Sequence, residues 1–207
     1  MIRHANMNDL PQIAKVHTAC FPKSFSTQMG QELLQRMYFE YLERTPELFL
    51  VAEENNEIVG FSNGYYCEWN NYLREFERAN KREFYTKVFM LLLKGNKQAW
   101  EKALKVIKGK GKTEIVDMIP EKCIAEVKGD LLSICVLDKY RGKNVSTALL
   151  EQFESEIKAK SKKIKMITLS VDPNNLRAIS FYEKMGYSQY KVGKTTASYY
   201  KVISEEE

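Results

Sequence analysis

The chain has 207 residues, enough for one domain with a sizeable buried core, and its 44% hydrophobic and 29% charged residues are ordinary for a globular protein. Its longest apolar run, residues 88–93, is far too short to cross a bilayer, and Met1-Ile2-Arg3-His4-Ala5 is no apolar leader, so neither a membrane partner nor export is expected. The net charge of +5 is uneven: residues 71–112 carry twelve Lys or Arg against four Glu, a net +8 that leaves −3 for the rest.

Ile2, Arg3 and His4 read as a first strand. Asn8 and Asp9 are helix-capping candidates with Pro11 in the first turn, and Ile13, Ala14 and His17 follow at helical spacing. Phe21-Pro22 ends that helix. A second restarts near Ser26-Thr27, with Leu33, Leu34, Met37, Tyr38, Tyr41 and Leu42 on a 3.6-residue period. Residues 48–52 and 58–61 form a hairpin around Asn55-Asn56, a pair suited to a tight turn that needs positive φ. Residues 72–108 read as helical, with a break near Gly95-Asn96.

Residues 131–136 are a strongly apolar strand, followed by a helix over 144–160 that turns Val145, Ala148, Leu149, Phe153 and Ile157 inward. A strand over 165–171 leads to a helix capped by Asn174 or Asn175 and stopped at Gly186, and two strands, 187–192 and 197–203, close the chain. Strand, helix, strand, helix implies a parallel pair. Together with the earlier hairpin this predicts an α/β (α+β) fold, a mixed central sheet with helices on both faces. We expect one domain spanning 1–207, with a basic helical insertion at about 70–112.

Four cysteines (Cys20, Cys67, Cys123, Cys135) are scattered in apolar settings without metal-ligand spacing. They read as buried reduced thiols, which points to the cytoplasm and to no bound metal. The segment Arg141-Gly142-Lys143-Asn144-Val145-Ser146 carries more chemistry. It ends a strand and opens a helix, where a turn of small residues presents backbone N–H groups to an anion with help from the helix dipole.

About forty residues later Phe181-Tyr182-Glu183-Lys184-Met185-Gly186-Tyr187 ends a helix at a glycine. Between them stands Val171-Asp172-Pro173-Asn174-Asn175-Leu176-Arg177-Ala178, and ahead of them Leu132-Ser133-Ile134-Cys135-Val136 with Tyr140. Over roughly residues 130–190 this set resembles the acetyl-CoA-binding half of the GNAT family of N-acetyltransferases. The family pattern has Arg or Gln, two residues, glycine, one residue, then glycine or alanine. Here Asn144 and Ser146 replace the two small residues, and asparagine tolerates unusual backbone angles while serine is small.

The resemblance implies the GNAT acyl-CoA N-acyltransferase fold, acetyl-CoA as co-substrate and direct acetyl transfer to a primary amine. Ile134, Cys135 and Val136 would contact pantetheine and thioester, with the Val136 N–H at the thioester carbonyl. Arg141, Gly142, Lys143, Asn144, Val145 and Ser146 would hold the pyrophosphate. Asn175 would bond pantetheine or fix its turn, and Tyr182 would sit at the thioester sulfur. Glu126 and Asp130 are the acids placed to take the amine's proton. The first helices and the later loops, including Phe21-Pro22-Lys23-Ser24-Phe25-Ser26 with Met37, Tyr38 and Tyr41, would form the acceptor face.

Each of these residues also has a structural reading: Tyr182 as a core aromatic, Asn175 as a helix cap, Cys135 as a packed thiol, His17 as a core or surface histidine, Glu126 and Asp130 as solvated carboxylates. The expected acceptor is a small-molecule amine, for instance an amino sugar or a nucleotide-linked amino sugar that the basic insertion would attract. The same insertion suits a lid or a homodimer contact. A degenerate, non-catalytic binding protein is the alternative. Nucleic acid is disfavoured because the insertion carries no nucleic-acid motif.

Overall fold

In the computed structural model, which describes residues 1–66, 78–96, 100, 128–160 and 162–203, a seven-stranded mixed sheet carries helices on both faces. The strands are β1 (Ile2–His4), β2 (Phe49–Glu54), β3 (Glu57–Tyr66), β4 (Lys128–Val136), β5 (Met166–Val171), β6 (Ser188–Val192) and β7 (Ala197–Val202), in the order β1-β2-β3-β4-β5-β7-β6. All neighbours are antiparallel except β4 and β5. The β2–β3 turn places Asn55 and Asn56 at φ 53° and 61°, the two left-handed residues a type I′ hairpin requires.

On one face lie α1 (Leu10–Cys20), α2 (Phe25–Gln28) and α3 (Gln31–Arg44), and α4 (Lys81–Leu93) packs Phe84, Val88 and Leu91 against them. The second helix expected from the sequence is two: Gly30, at φ +95°, separates α2 from α3. Capping also differs from expectation. Asn6 caps the chain's first turn, whereas Asp9 accepts from Arg3 Nη1 and Nη2, at 2.7 and 2.9 Å, and makes no cap bond to α1. Of the basic segment over 70–112, only residues 78–96 and 100 are described, and Cys67 and Cys123 lie outside the described residues.

The opposite face carries α5 (Val145–Lys160) and α6 (Leu176–Lys184). Leu149, Phe153 and Ile157 recur on one side of α5, all fully buried against Leu131, Ile167 and Leu169 of the sheet. Each such side chain contributes roughly 1.5–3 kcal/mol, and truncating Phe153 to alanine would cost about 3–5 kcal/mol. Two glycines let α5 come this close. A Cβ on Gly64 would stand 2.5 Å from the Phe153 ring and 2.2 Å from the Asp130 carbonyl oxygen, and one on Gly129 would stand 2.4 Å from Ile157.

Candidate active site

β4 and β5 pair only from Lys128–Met166 to Leu131–Leu169; from residue 132 onward β4 keeps β3, while β5 keeps β7. A bulge marks this fork. Asn63–Ser133 and Gly64–Leu131 are successive pairs across β3 and β4, so Leu132 is the extra residue and side-chain alternation is broken there. Leu132 and Ser133 accordingly line the same cavity on the α1–α3 side. Further on, Ile134 and Val136 pack toward α5 and α6, and Cys135 toward α1.

The backbone beyond the fork has a defined direction. The Leu137 N–H donates to the Val59 carbonyl on β3 at 2.8 Å. Successive strand residues alternate, so the N–H and carbonyl of Val136 face the side that β5 has left. The Arg141 Nε reaches that Val136 carbonyl at 3.1 Å, and the same guanidinium pairs with Asp138. Arg141 thus braces the turn against the strand end.

In the turn itself Gly142 has φ +78° and Asn144 φ +60°. Asparagine therefore fills a left-handed position, the role the family motif gives to glycine. The first bond of α5 runs from the Ala148 N–H to the Asn144 carbonyl at 2.9 Å, leaving the N–H groups of Val145, Ser146 and Thr147 ahead of the helix's own ladder. Lys139 and Lys143 hold their ammonium groups 4.8 and 5.1 Å from the Tyr140 ring, adding positive charge beside these donors. The arrangement is an anion cradle.

Tyr182, on α6, is buried between Phe181 and Tyr187, with ring centroids 5.5 and 5.9 Å away. Burial, and then the Cys135 thiol across the fork, push its hydroxyl well above the ordinary tyrosine range, so at neutral pH it is a hydrogen-bond donor. Asn175 is exposed, and its Oδ1 accepts the Ala178 N–H at 3.2 Å, capping α6. Cys135 is buried and free, and burial raises its thiol well above normal, so it is poorly suited to act as a nucleophile.

Asp130 lies one residue before the fork and opposite Tyr65. Its neighbour Gly129 faces α5, so Asp130 faces the α1–α3 side. Thr168 of β5 donates to its Oδ2 at 2.9 Å. Burial raises the Asp130 carboxyl above its ordinary range, with Thr168 and Lys128 opposing. Its charge reaches Tyr41, Tyr65 and Tyr190, from three separate elements, and burial plus this charge push Tyr65 up to about 12. Glu126, the other acid expected from the sequence, lies outside the described residues.

Beside the fork is a cavity of about 300 Å³ lined by residues of α1, α2, α3, α4, β3 and β4. Of the residues expected on the acceptor face, Phe25, Ser26, Met37, Tyr38 and Tyr41 line it, whereas Phe21, Pro22, Lys23 and Ser24 are not among its lining residues. His17 borders it too: Nδ1 is 2.6 Å from the Tyr38 hydroxyl, and Nε2 is 3.1 Å from both the Ser24 and Ser26 hydroxyls. Burial lowers its pKa to about 4, so the ring is a neutral core histidine, one of the two readings open in the sequence.

The fold thus brings the residues of 134–146, Tyr182 and Asp130 around one fork, with Asn175 at the turn after β5. Sequence reasoning missed Thr168, Tyr65, Tyr190 and Asn63. Strand alternation puts Asn63 and Tyr65 on one face, a usable signal once the register of β3 is known. Nothing in the sequence brings Tyr190 to Asp130, because β7 has first to insert between β5 and β6.

The chain matches the acetyltransferase (GNAT) family model over residues 10–187. It is 24% identical over 191 residues to an N-alpha-acetyltransferase of Sulfurisphaera tokodaii, covering 92% of this chain and 81% of that protein. The PaiA N-acetyltransferase of Thermoplasma acidophilum, solved in complex with coenzyme A, shares the fold at 16% identity and TM-score 0.59, covering 98% of each chain. Naa20 of Chaetomium thermophilum, solved in complex with a bisubstrate analogue, does so at 18% identity and TM-score 0.58, over 97% of this chain and 84% of that one.

Proposed function

The chain belongs to the GNAT acetyltransferase family and is an acetyl-CoA-dependent N-acetyltransferase, and we propose that its acceptor is the α-amine at the start of a polypeptide. The observation that carries the reading is the fork, with an anion cradle beyond its open edge and the half-buried Asp130 at its root. Acetyl-CoA supplies an acetyl group activated as a thioester. The backbone at Gly142, Lys143, Asn144, Val145 and Ser146 holds its pyrophosphate. The edge formed by Ile134, Cys135 and Val136 receives pantetheine, with Asn175 at the turn beside it.

Asp130 accepts the proton of the incoming amine, and its raised pKa brings it closer to neutral pH, where a general base works best. The Val136 N–H stabilises charge developing on the thioester carbonyl oxygen. Tyr182 donates a hydrogen bond to the departing sulfur and keeps its own proton, since its raised pKa makes full transfer more uphill.

Proton cost and relatives together favour an α-amine. At pH 7 an alkyl ammonium of pKa about 10.4 is neutral about once in 2,500 molecules, a cost of roughly 4.6 kcal/mol. For an α-amine near pKa 8 the cost is only about 1.4 kcal/mol, within reach of a single carboxylate base. The S. tokodaii relative named N-alpha-acetyltransferase supports the same acceptor. An amino sugar fits less well beside an apolar cavity whose described lining carries no Lys, Arg, Asp or Glu.

The test offers acetyl-CoA with three acceptors: peptides with a free α-amine, Nα-blocked peptides containing lysine, and glucosamine. Release of CoA with the first set alone, and mass spectrometry placing acetyl on the first residue, is the expected result. Acetylation of glucosamine alone would overturn the peptide reading, and failure to bind acetyl-CoA at millimolar concentration would favour a degenerate binding protein.

A further inference from the structure

We propose that the cavity roofed by α4 receives the side chain of the acceptor's first residue, and that it selects a long, uncharged, apolar one such as methionine or leucine; this rests on the α-amine reading above. The cavity's position supplies the first argument. Its wall includes Leu132 and Ser133, the bulge residues at which β4 parts from β5, and Tyr41, which also feels the charge of Asp130. An amine held between Asp130 and the open edge of β4 therefore has this cavity as the neighbouring space for its substituent.

The lining supplies the second argument. Met29, Leu33, Leu34 and Met37 form much of it, and among the described residues its lining has no Lys, Arg, Asp or Glu. Its one titratable ring at physiological pH, His17, is kept neutral by burial. A charged side chain entering here would leave water without a counter-charge, which is costly. Asn63 adds a polar note at the β3 wall: its carboxamide is buried, and neither its oxygen nor its nitrogen has a hydrogen-bond partner among the described residues. A peptide unit supplies both a carbonyl and an N–H and so matches that pair.

The third argument is the roof. α4 belongs to the long segment between β3 and β4, and its Phe84 lies over the cavity with its ring 6.1 Å from that of Phe25. Glu83 anchors the helix to Arg36 of α3 at 2.9 Å, and Asn96 beyond its end bonds Gln28 of α2. The roof turns an apolar surface into a pocket, and its walls set which side chains fit.

The experiment measures kcat/KM for peptides that differ only in the first residue (Met, Leu, Phe, Ala, Ser, Asp, Lys), using wild type, Met37→Trp and Phe84→Ala. In the wild type, Met and Leu peptides should exceed Ala and Ser by about tenfold or more, in line with the value of methylenes in an apolar pocket, with Asp and Lys lowest. Met37→Trp fills the cavity and should erase or invert that order, and Phe84→Ala opens it and should admit a Phe-initiated peptide. Unchanged acetyl-CoA affinity in both variants shows that they fold. Acetylation at similar rates whatever the first residue, or an order untouched by Met37→Trp, would overturn the pocket while leaving the α-amine reading intact. Absence of acetylation on every peptide would overturn both.

Discussion

In the proposed site the cofactor half, built on residues 134–146 at the end of β4 and the start of α5, grips with backbone, whereas the acceptor half, built on α1 to α4 with the cluster around Asp130, grips with side chains. The cofactor half depends on two left-handed residues, Gly142 and Asn144, on the free N–H groups of one helix end and on a strand edge that lacks a neighbour. The acceptor half, as proposed, draws on tyrosines of α3, β3 and β6, a neutral histidine and an apolar cavity. Backbone recognition suits a co-substrate that never varies. Side-chain recognition can be altered one residue at a time, which is what acceptor choice requires.

The sharpest way to break this contrast is Asp130→Asn, which removes the base from the acceptor half. It should lower kcat by about 10²–10⁴-fold with acetyl-CoA affinity unchanged, measured by steady-state kinetics and calorimetry. The wild-type rate should rise with pH through a carboxyl pKa above the ordinary range, because Asp130 must be ionised to accept a proton, and the variant should lose that limb. Retention of the limb in the variant would assign the base elsewhere. Tyr182→Phe comes next. Loss of a donor aimed at developing charge costs about 10²–10³-fold in kcat, again without loss of cofactor affinity.

A smaller effect separates the halves by pH. The folded-state pKa of His17, about 4, lies below its ordinary 6.5, so the unfolded chain binds a proton that the folded chain refuses. Its stabilising contribution is full above pH 6.5 and falls away as pH drops toward 4, by roughly 3 kcal/mol in total. His17→Gln should flatten this acid limb in denaturant unfolding at pH 7 and pH 4.5; equal slopes for both proteins would refute it. The mildest test lies in the cradle. Asn144→Val forces a β-branched residue into the left-handed region at a cost of about 1–2 kcal/mol, so acetyl-CoA should bind about 5–30-fold more weakly, and Asn144→Gly should bind at least as well as wild type.

The same contrast explains what could be read from residues alone. The cradle was legible because its geometry is local: a positive φ needs Gly or Asn, and a helix start follows within two residues. The parallel β4–β5 pair and the hairpin at Asn55-Asn56 were legible for the same reason. The fork was not legible from local residues, since no local rule says where two strands stop pairing. The cluster around Asp130 was not legible at all. Tyr41, Tyr65 and Tyr190 are separated by 24 and 125 residues and meet only through sheet order. Asp9 misled as a cap because Arg3, six residues earlier, competes for its carboxylate.

Gly64 and Gly129 give the cofactor half a dependence of another kind. They set how deeply α5 rests on the sheet at Phe153 and Ile157, and the helix carries that depth rigidly to Val145, eight residues and about 12 Å from Phe153. The height of the cradle above the strand edge is therefore fixed from its far side, by the absence of two methyl groups. A genetic screen for weak acetyl-CoA binding would return these two positions alongside the turn itself, although neither is among the residues assigned to the cofactor.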